Sequence, residues 1–215
     1  MNLDKIDWNN KEVVLTIIKN RGCCLQYASK ELQNDKEIVL KAVKNNGYSL
    51  QYASKELQND KDIVLVAVKN NEYALFFASR ELRNDKEIVL TSVRNHGDSI
   101  SYASDELRND KEVVIEAVKN DGYAITYVPE KFENMKEIVL EAVKKNGGSL
   151  KFVSNEFKNN KEVVLEAVKT CTYSLKYASK NLQKNRKFNQ YFNIHMEFIE
   201  FDKLAIKFNQ ILLFF

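Results

Sequence analysis

One 25-residue unit recurs seven times in unbroken register, as residues 9–33, 34–58, 59–83, 84–108, 109–133, 134–158 and 159–183, and no other feature constrains the fold as tightly. So short a unit cannot bury an apolar face alone. Its neighbours must cover it, so the chain reads as an array in which each copy contacts mainly the next. Length alone, 215 residues, allows one or two globular domains, but the strict period overrides that prior.

Copy 2, residues 34–58, shows how a unit folds. Asn34 stands three residues before Glu37 and reads as a capping box; Asp35 and Glu37 suit the positive end of a helix dipole and Lys44 the negative end. Gly47 then takes the place of a C-terminal helix stop in the left-handed conformation. A buried strand over Ile38, Val39 and Leu40 is the competing reading, rejected because Ala42 and the flanking charges favour helix and both end signals are present. In the second half, Leu50, Ala53 and Leu57 fall at helical spacing, but copy 5 places Pro129 where other copies carry Ser54 or its equivalents. Proline inside a helix removes a hydrogen bond and clashes, so a break is predicted there, with a short helix over about 49–53 and a second turn opened by Ser54. The fold class is all-α, an α-solenoid of seven short-helix repeats with a helical C-terminal tail.

Comparing copies separates scaffold from surface. Val39 is valine in every copy, and the Leu57 column changes only to Phe132 and Phe157; both columns are read as core. The Tyr52 column alternates only with phenylalanine (Phe77, Phe152) and is also read as core, because a packed interior tolerates that interchange. Three columns vary on one face of the second half-unit, those of Tyr48, Gln51 and Lys55. A constant scaffold with one changing face is how such arrays present a partner-specific surface, against the alternative of drift at exposed sites. The candidate partner-binding residues are Tyr48, Gln51, Tyr73, Phe76, Arg80, Tyr123 and Tyr173, with copy 3 the focus because Tyr73, Phe76 and Arg80 have hot-spot composition.

The pattern N-D-K-E-[IV]-V-L-x-A-V-K-x-x-G-x-[SA]-L-x-[YF]-A-S-x-x-L resembles the repeat family catalogued as domain of unknown function 4116. The resemblance covers the seven copies and departs at Pro129, Met135, Thr172 and beyond Gln183. It implies a tandem helical array with no assigned activity and no catalytic residues to carry over.

Chemistry is sparse. The two histidines, His96 and His195, have no metal-ligand spacing with any cysteine, and His96 reads as a solvated residue at a helix end. Five of the six glycines occupy the Gly47 column and the sixth adjoins it, so no phosphate-cradling loop is present. No enzyme, cofactor or metal is expected. Lysine stripes in the columns of Lys36 and Lys44 would suit a phosphate backbone, but carboxylates accompany them and the net charge is only +3. The reading is therefore a non-catalytic scaffold for a protein partner of unknown identity, with a nucleic-acid-binding array as the second reading. Cys23, Cys24 and Cys171 read as free thiols of a reducing, cytoplasmic protein, and no segment has the composition of a secretory signal or a membrane span. Residues 1–8, with Trp8, are read as an N-terminal cap segment. Residues 184–215, rich in phenylalanine, are read as a helical cap over copy 7 or a contact segment for self-association, a membrane surface or a longer parent chain.

Overall fold

The computed structural model describes residues 6–190 and residue 192. The N-terminal residues 1–5 and the aromatic tail beyond Phe192, read above as a cap or contact segment, lie outside them. Two compact units divide the chain, Met1–Pro129 and Glu130–Phe215. All secondary structure among the described residues is helical, so the molecule has the all-α tandem-repeat fold that its period predicts.

Each copy opens with an α-helix: Lys11–Ile18, Lys36–Asn45, Lys61–Asn70, Lys86–Asn95 and Lys111–Asn120 in the first unit, Lys136–Lys145 and Lys161–Thr170 in the second. The cap is one residue later than the sequence implies. Asp35, not Asn34, accepts from the N–H groups of Glu37 and Ile38 at 2.9 and 3.2 Å. Asn34 instead accepts from the Ser54 hydroxyl and donates to Glu56, tying the two halves of one copy together. Successive copies are laced by the same few bonds. The Lys36 ammonium reaches Asp60 of the next copy at 2.6 Å, the Ser54 N–H donates to Gln33 O of the previous copy at 2.9 Å, and the Asn45 amide accepts from the Gly22 N–H at 2.7 Å. The valine column is wholly buried from Val14 through Val114 in the first unit and at Val139 and Val164 in the second.

The second half-units are tighter than an α-helix. In copy 2 a 3-10 helix over Gly47–Tyr52 is followed by an extended Ala53 and a second short turn over Leu57–Asn59, with the Ser54 hydroxyl accepting from the Leu57 N–H at 3.2 Å. The break predicted from Pro129 therefore falls where Ser54 stands. The glycine reading is corrected: no described glycine has positive φ. What Gly47 supplies is closeness, since a Cβ there would meet the Ala67 carbonyl oxygen of the next copy at 2.2 Å; Gly22 and Gly97 make the same approach at 2.4 Å. Copy 3 has Glu72 in that column, and its second half-unit forms an α-helical turn, Ala74–Phe77, where its neighbours keep six-residue 3-10 helices.

Beyond copy 7 the helical register continues after the sequence pattern stops. Asn185 stands 25 residues after the cap Asn160 and accepts from the Phe188 N–H at 2.9 Å, as Asn160 does from Val163. Residues 186–190 are helical, and Phe188 is buried beside Leu165.

Candidate interaction surface

The aromatic column assigned to the core from sequence is not in the core. Tyr27 and Tyr127 are exposed and Tyr52, Phe77 and Tyr102 half-buried; what lies beneath them is Leu25, Leu50, Leu75, Ile100 and Ile125, all fully buried. The rings instead join the Tyr48 column in one ridge. Tyr48 of copy 2 meets Phe77 and Tyr73 of copy 3 edge-on at 5.2 and 6.2 Å between centroids. Tyr73 and Phe76 in turn meet Tyr102 of copy 4 at 6.1 and 5.4 Å, and Phe76 lies 5.2 Å from Phe77. Edge-to-face packing of this kind holds the rings in place while leaving their outer faces in water: Phe76 remains 54% exposed and Tyr73 46%. At the first copy, Trp8 packs on Tyr27 at 5.2 Å.

Of the residues singled out by sequence, Tyr48, Tyr73 and Phe76 thus belong to one ring cluster. Gln51 stands beside it with its amide on the Tyr48 carbonyl at 3.4 Å, and Arg80 follows the extended Ala78 and lines, with Phe76, two grooves of about 680 Å³ each. Tyr123 is exposed in copy 5. Tyr173 belongs to the second unit, where the Lys176 ammonium sits 3.6 Å above its ring.

A column that sequence reasoning passed over lies behind the ridge. Gln58 is buried and donates to the Leu50, Gln51 and Ala53 carbonyls at 3.1–3.3 Å, satisfying the end of the 3-10 helix; Gln33 and Gln183 do the same in copies 1 and 7. In copies 3 and 4 the column holds Arg83 and Arg108. The Nε of each is enclosed without a hydrogen-bond partner among the described residues; Arg108 pairs with Asp105 through a terminal guanidinium nitrogen, and no such pair is seen at Arg83 among those residues. The change from Gln to Arg, and to Glu133 and Lys158 in copies 5 and 6, was visible in the sequence, but only the hydrogen bonds show that the glutamines sit over the backbone carbonyls.

The lysine stripes behave differently from each other. Lys11, Lys36, Lys61 and Lys86 each hold the cap aspartate of the next copy at 2.6–2.8 Å. Partial burial alone would favour the neutral acid at Asp60, but the Lys36 ammonium and the Ile63 and Asp62 N–H groups outweigh it and hold the carboxyl below its ordinary range; Asp35, Asp85 and Asp110 follow the same pattern. In the second stripe Arg94 pairs with Glu116 at 2.7 Å, while Lys44 and Lys69 are exposed and form no ion pair among the described residues.

Other candidates for chemistry are modest. His96 is half-buried, donates its backbone N–H to Ser92 O at 2.8 Å, and has an enclosed Nε2 without a partner. Cys23 is exposed and Cys24 buried, its thiol pushed up by that burial. Among the described residues no group of His, Cys, Asp and Glu has the arrangement of a metal site, and no helix is long and apolar enough to cross a membrane.

Comparison with known proteins returns one family. The model described as domain of unknown function (DUF4116) matches residues 10–58, 36–83, 60–107, 85–133 and 136–183. No curated protein and no solved structure matches the chain.

Proposed function

The chain belongs to the DUF4116 family, and we propose that it is a non-catalytic helical-repeat scaffold that binds a protein partner along the ridge of copies 2 to 4. One observation carries this reading. Tyr48, Tyr73, Phe76, Phe77 and Tyr102 from three copies hold one another in fixed orientation with their outer faces open. Ordered aromatic rings beside arginine are the composition from which protein interfaces draw most of their binding energy, because little side-chain entropy remains to be lost on docking. The non-catalytic half is supported by the carboxylates held below their ordinary range: each is a helix cap, an ion-pair partner or, at Glu81, bound by its own N–H and the Ser79 hydroxyl. A cytoplasmic, reducing location is part of the proposal and rests on the free thiols.

Affinity capture from the native cell tests the reading, with the intact chain set against Y73A/F76A/R80A. The expected result is loss of a stoichiometric protein partner with the variant; an unchanged set of captured proteins would reject the ridge as an interface.

A second reading, a nucleic-acid-binding array, is favoured by a different observation: Lys41, Lys44 and Lys69 are exposed on the first helices of copies 2 and 3 and form no ion pair among the described residues. It requires saturable binding of mixed nucleic acid that weakens steeply with salt and is lost in K41E/K44E/K69E.

A further inference from the structure

The groove between copies 2 and 3 differs in its charge from the neighbouring groove between copies 3 and 4. Lys55, Arg80 and Arg83 line it, and among the described residues none of the three forms an ion pair with a carboxylate; the Lys55 ammonium is held at 2.9 Å by the neutral Gln58 amide oxygen. Its single carboxylate, Glu81, is already engaged by its own backbone N–H and the Ser79 hydroxyl. The neighbouring groove between copies 3 and 4 shares Phe76, Arg80 and Arg83 but adds Asp105, which pairs with Arg108, and Glu106, which accepts from Asn84 at 3.1 Å. Positive charge is thus answered on one side of Phe76 and left unanswered on the other.

Arg83 sharpens this. In copies 1, 2 and 7 its position is a glutamine that donates to the carbonyls ending the second half-unit's helix. Arg83 makes none of those bonds, and its Nε, like that of Arg108, is enclosed without an acceptor, a state that costs free energy unless something supplies one; Arg108 has Asp105 beside its terminal nitrogen, and Arg83 has no carboxylate there among the described residues. An arginine fork presents parallel N–H donors that match a carboxylate, and two arginines one turn apart, beside Phe76 and Phe77, match a carboxylate that is followed by an apolar side chain.

We propose that the groove between copies 2 and 3 is a docking site for an acidic peptide segment of a partner protein, with a carboxylate on Arg83 and Arg80 and an adjacent aromatic or aliphatic side chain against Phe76 and Phe77. This rests on the ridge being a protein interface and adds which part of it is specific and for what. Lys55 widens the cationic floor, so a second carboxylate two residues along the segment lies over it. Acidic residues in the next groove repel the same segment, which fixes its register along the ridge.

Fluorescence anisotropy on the intact chain tests it, using a labelled octapeptide that alternates glutamate with phenylalanine, the same peptide with glutamine for glutamate, and a labelled single-stranded oligonucleotide. Saturable binding of the glutamate peptide is expected, weakened at least about tenfold in R80Q/R83Q and in F76A, as for loss of a charge-assisted contact or a buried anchor. R83Q places in copy 3 the residue that copies 1, 2 and 7 carry, so the variant keeps the fold, which circular dichroism checks. R108Q in the other groove leaves affinity within about twofold. Equal binding of the glutamine peptide, an unchanged affinity in R80Q/R83Q, preferential binding of the oligonucleotide, or no saturation below about 1 mM would each overturn the proposal. The proposals separate in the capture experiment. Loss of partner in Y73A/F76A/R80A but not in R80Q/R83Q leaves the interface and removes the acidic ligand, whereas retention in both removes both.

Discussion

The two halves of a copy solve the same packing problem by different means. The first helices all carry a buried valine, and those of copies 2 to 5 add an aspartate cap held by a lysine of the copy before, which fastens them on the buried side and at the N-terminus. The second half-units are short 3-10 or single α-helical turns; in copies 1 to 6 their inner residues, Leu50 and its equivalents, are buried, while Tyr48, Phe76 and Tyr102 keep part of their rings outside. Stability is concentrated in one layer and sequence freedom in the other. A layer that is fastened from below can change its outer face without unfolding, which is what a surface for recognition requires.

Substitutions can break that division of labour. The largest effect is expected at Val89→Asp, which puts an unpaired carboxylate in a wholly buried column: a loss of about 4 kcal/mol or more, measured by urea denaturation. Near-native stability there would mean that the first helices do not carry the core. Gly47→Ala follows, because its Cβ would sit 2.2 Å from the Ala67 carbonyl oxygen and force the copies apart, at a cost of about 1–3 kcal/mol. An unperturbed melting temperature would show that the close approach is dispensable.

Asp60→Ala removes a cap and should cost about 0.5–2 kcal/mol at neutral pH. Its pH dependence has a defined sign. The folded carboxyl lies below its unfolded value, so its contribution is full above the ordinary aspartate range near about pH 4 and is lost as pH falls through the folded value. The stability gap between wild type and variant should therefore close on acidification; a gap that widens toward low pH would contradict the assignment. The smallest effect is expected at Tyr73→Ala, within about 1 kcal/mol, since nearly half of the residue is in water and its contacts are with other rings of the ridge. A large loss there would place the ridge in the scaffold and undo the comparison.

The period, the first helices, the valine column and the break at Ser54 were all legible, because each is a local signal repeated seven times, and Pro129 marked the break without ambiguity. The Tyr52 column was misassigned for a physical reason. Interchange of tyrosine with phenylalanine fits a packed core and also fits rings that lean on one another at a surface, and a 3-10 turn advances about 120° per residue, so a face read at α-helical spacing drifts within one turn. The cap was one residue off because Asn34 and Asp35 are both good caps side by side; the lysine 24 residues earlier, which chooses Asp35, acts only through the fold. Arg83 was legible as one of the residues that replace glutamine in its column, but not as a half-buried side chain with an enclosed Nε.

The lateral bonds have a consequence for how such a chain can evolve. Lys11 to Asp35, Lys36 to Asp60 and Lys61 to Asp85 all span 24 residues, the Gly22 N–H reaches Asn45 across 23, and the Asn45 amide reaches Lys19 across 26. Each contact names its partner by distance along the chain. A point substitution touches one bond, whereas the gain or loss of a single residue shifts every donor in that copy against both neighbours at once. Exchange of whole 25-residue cassettes leaves the spacing intact. Selection on such a gene therefore tolerates altered letters and altered copy number but purges altered phase, and this accounts for seven copies that diverge in residues yet not once in length.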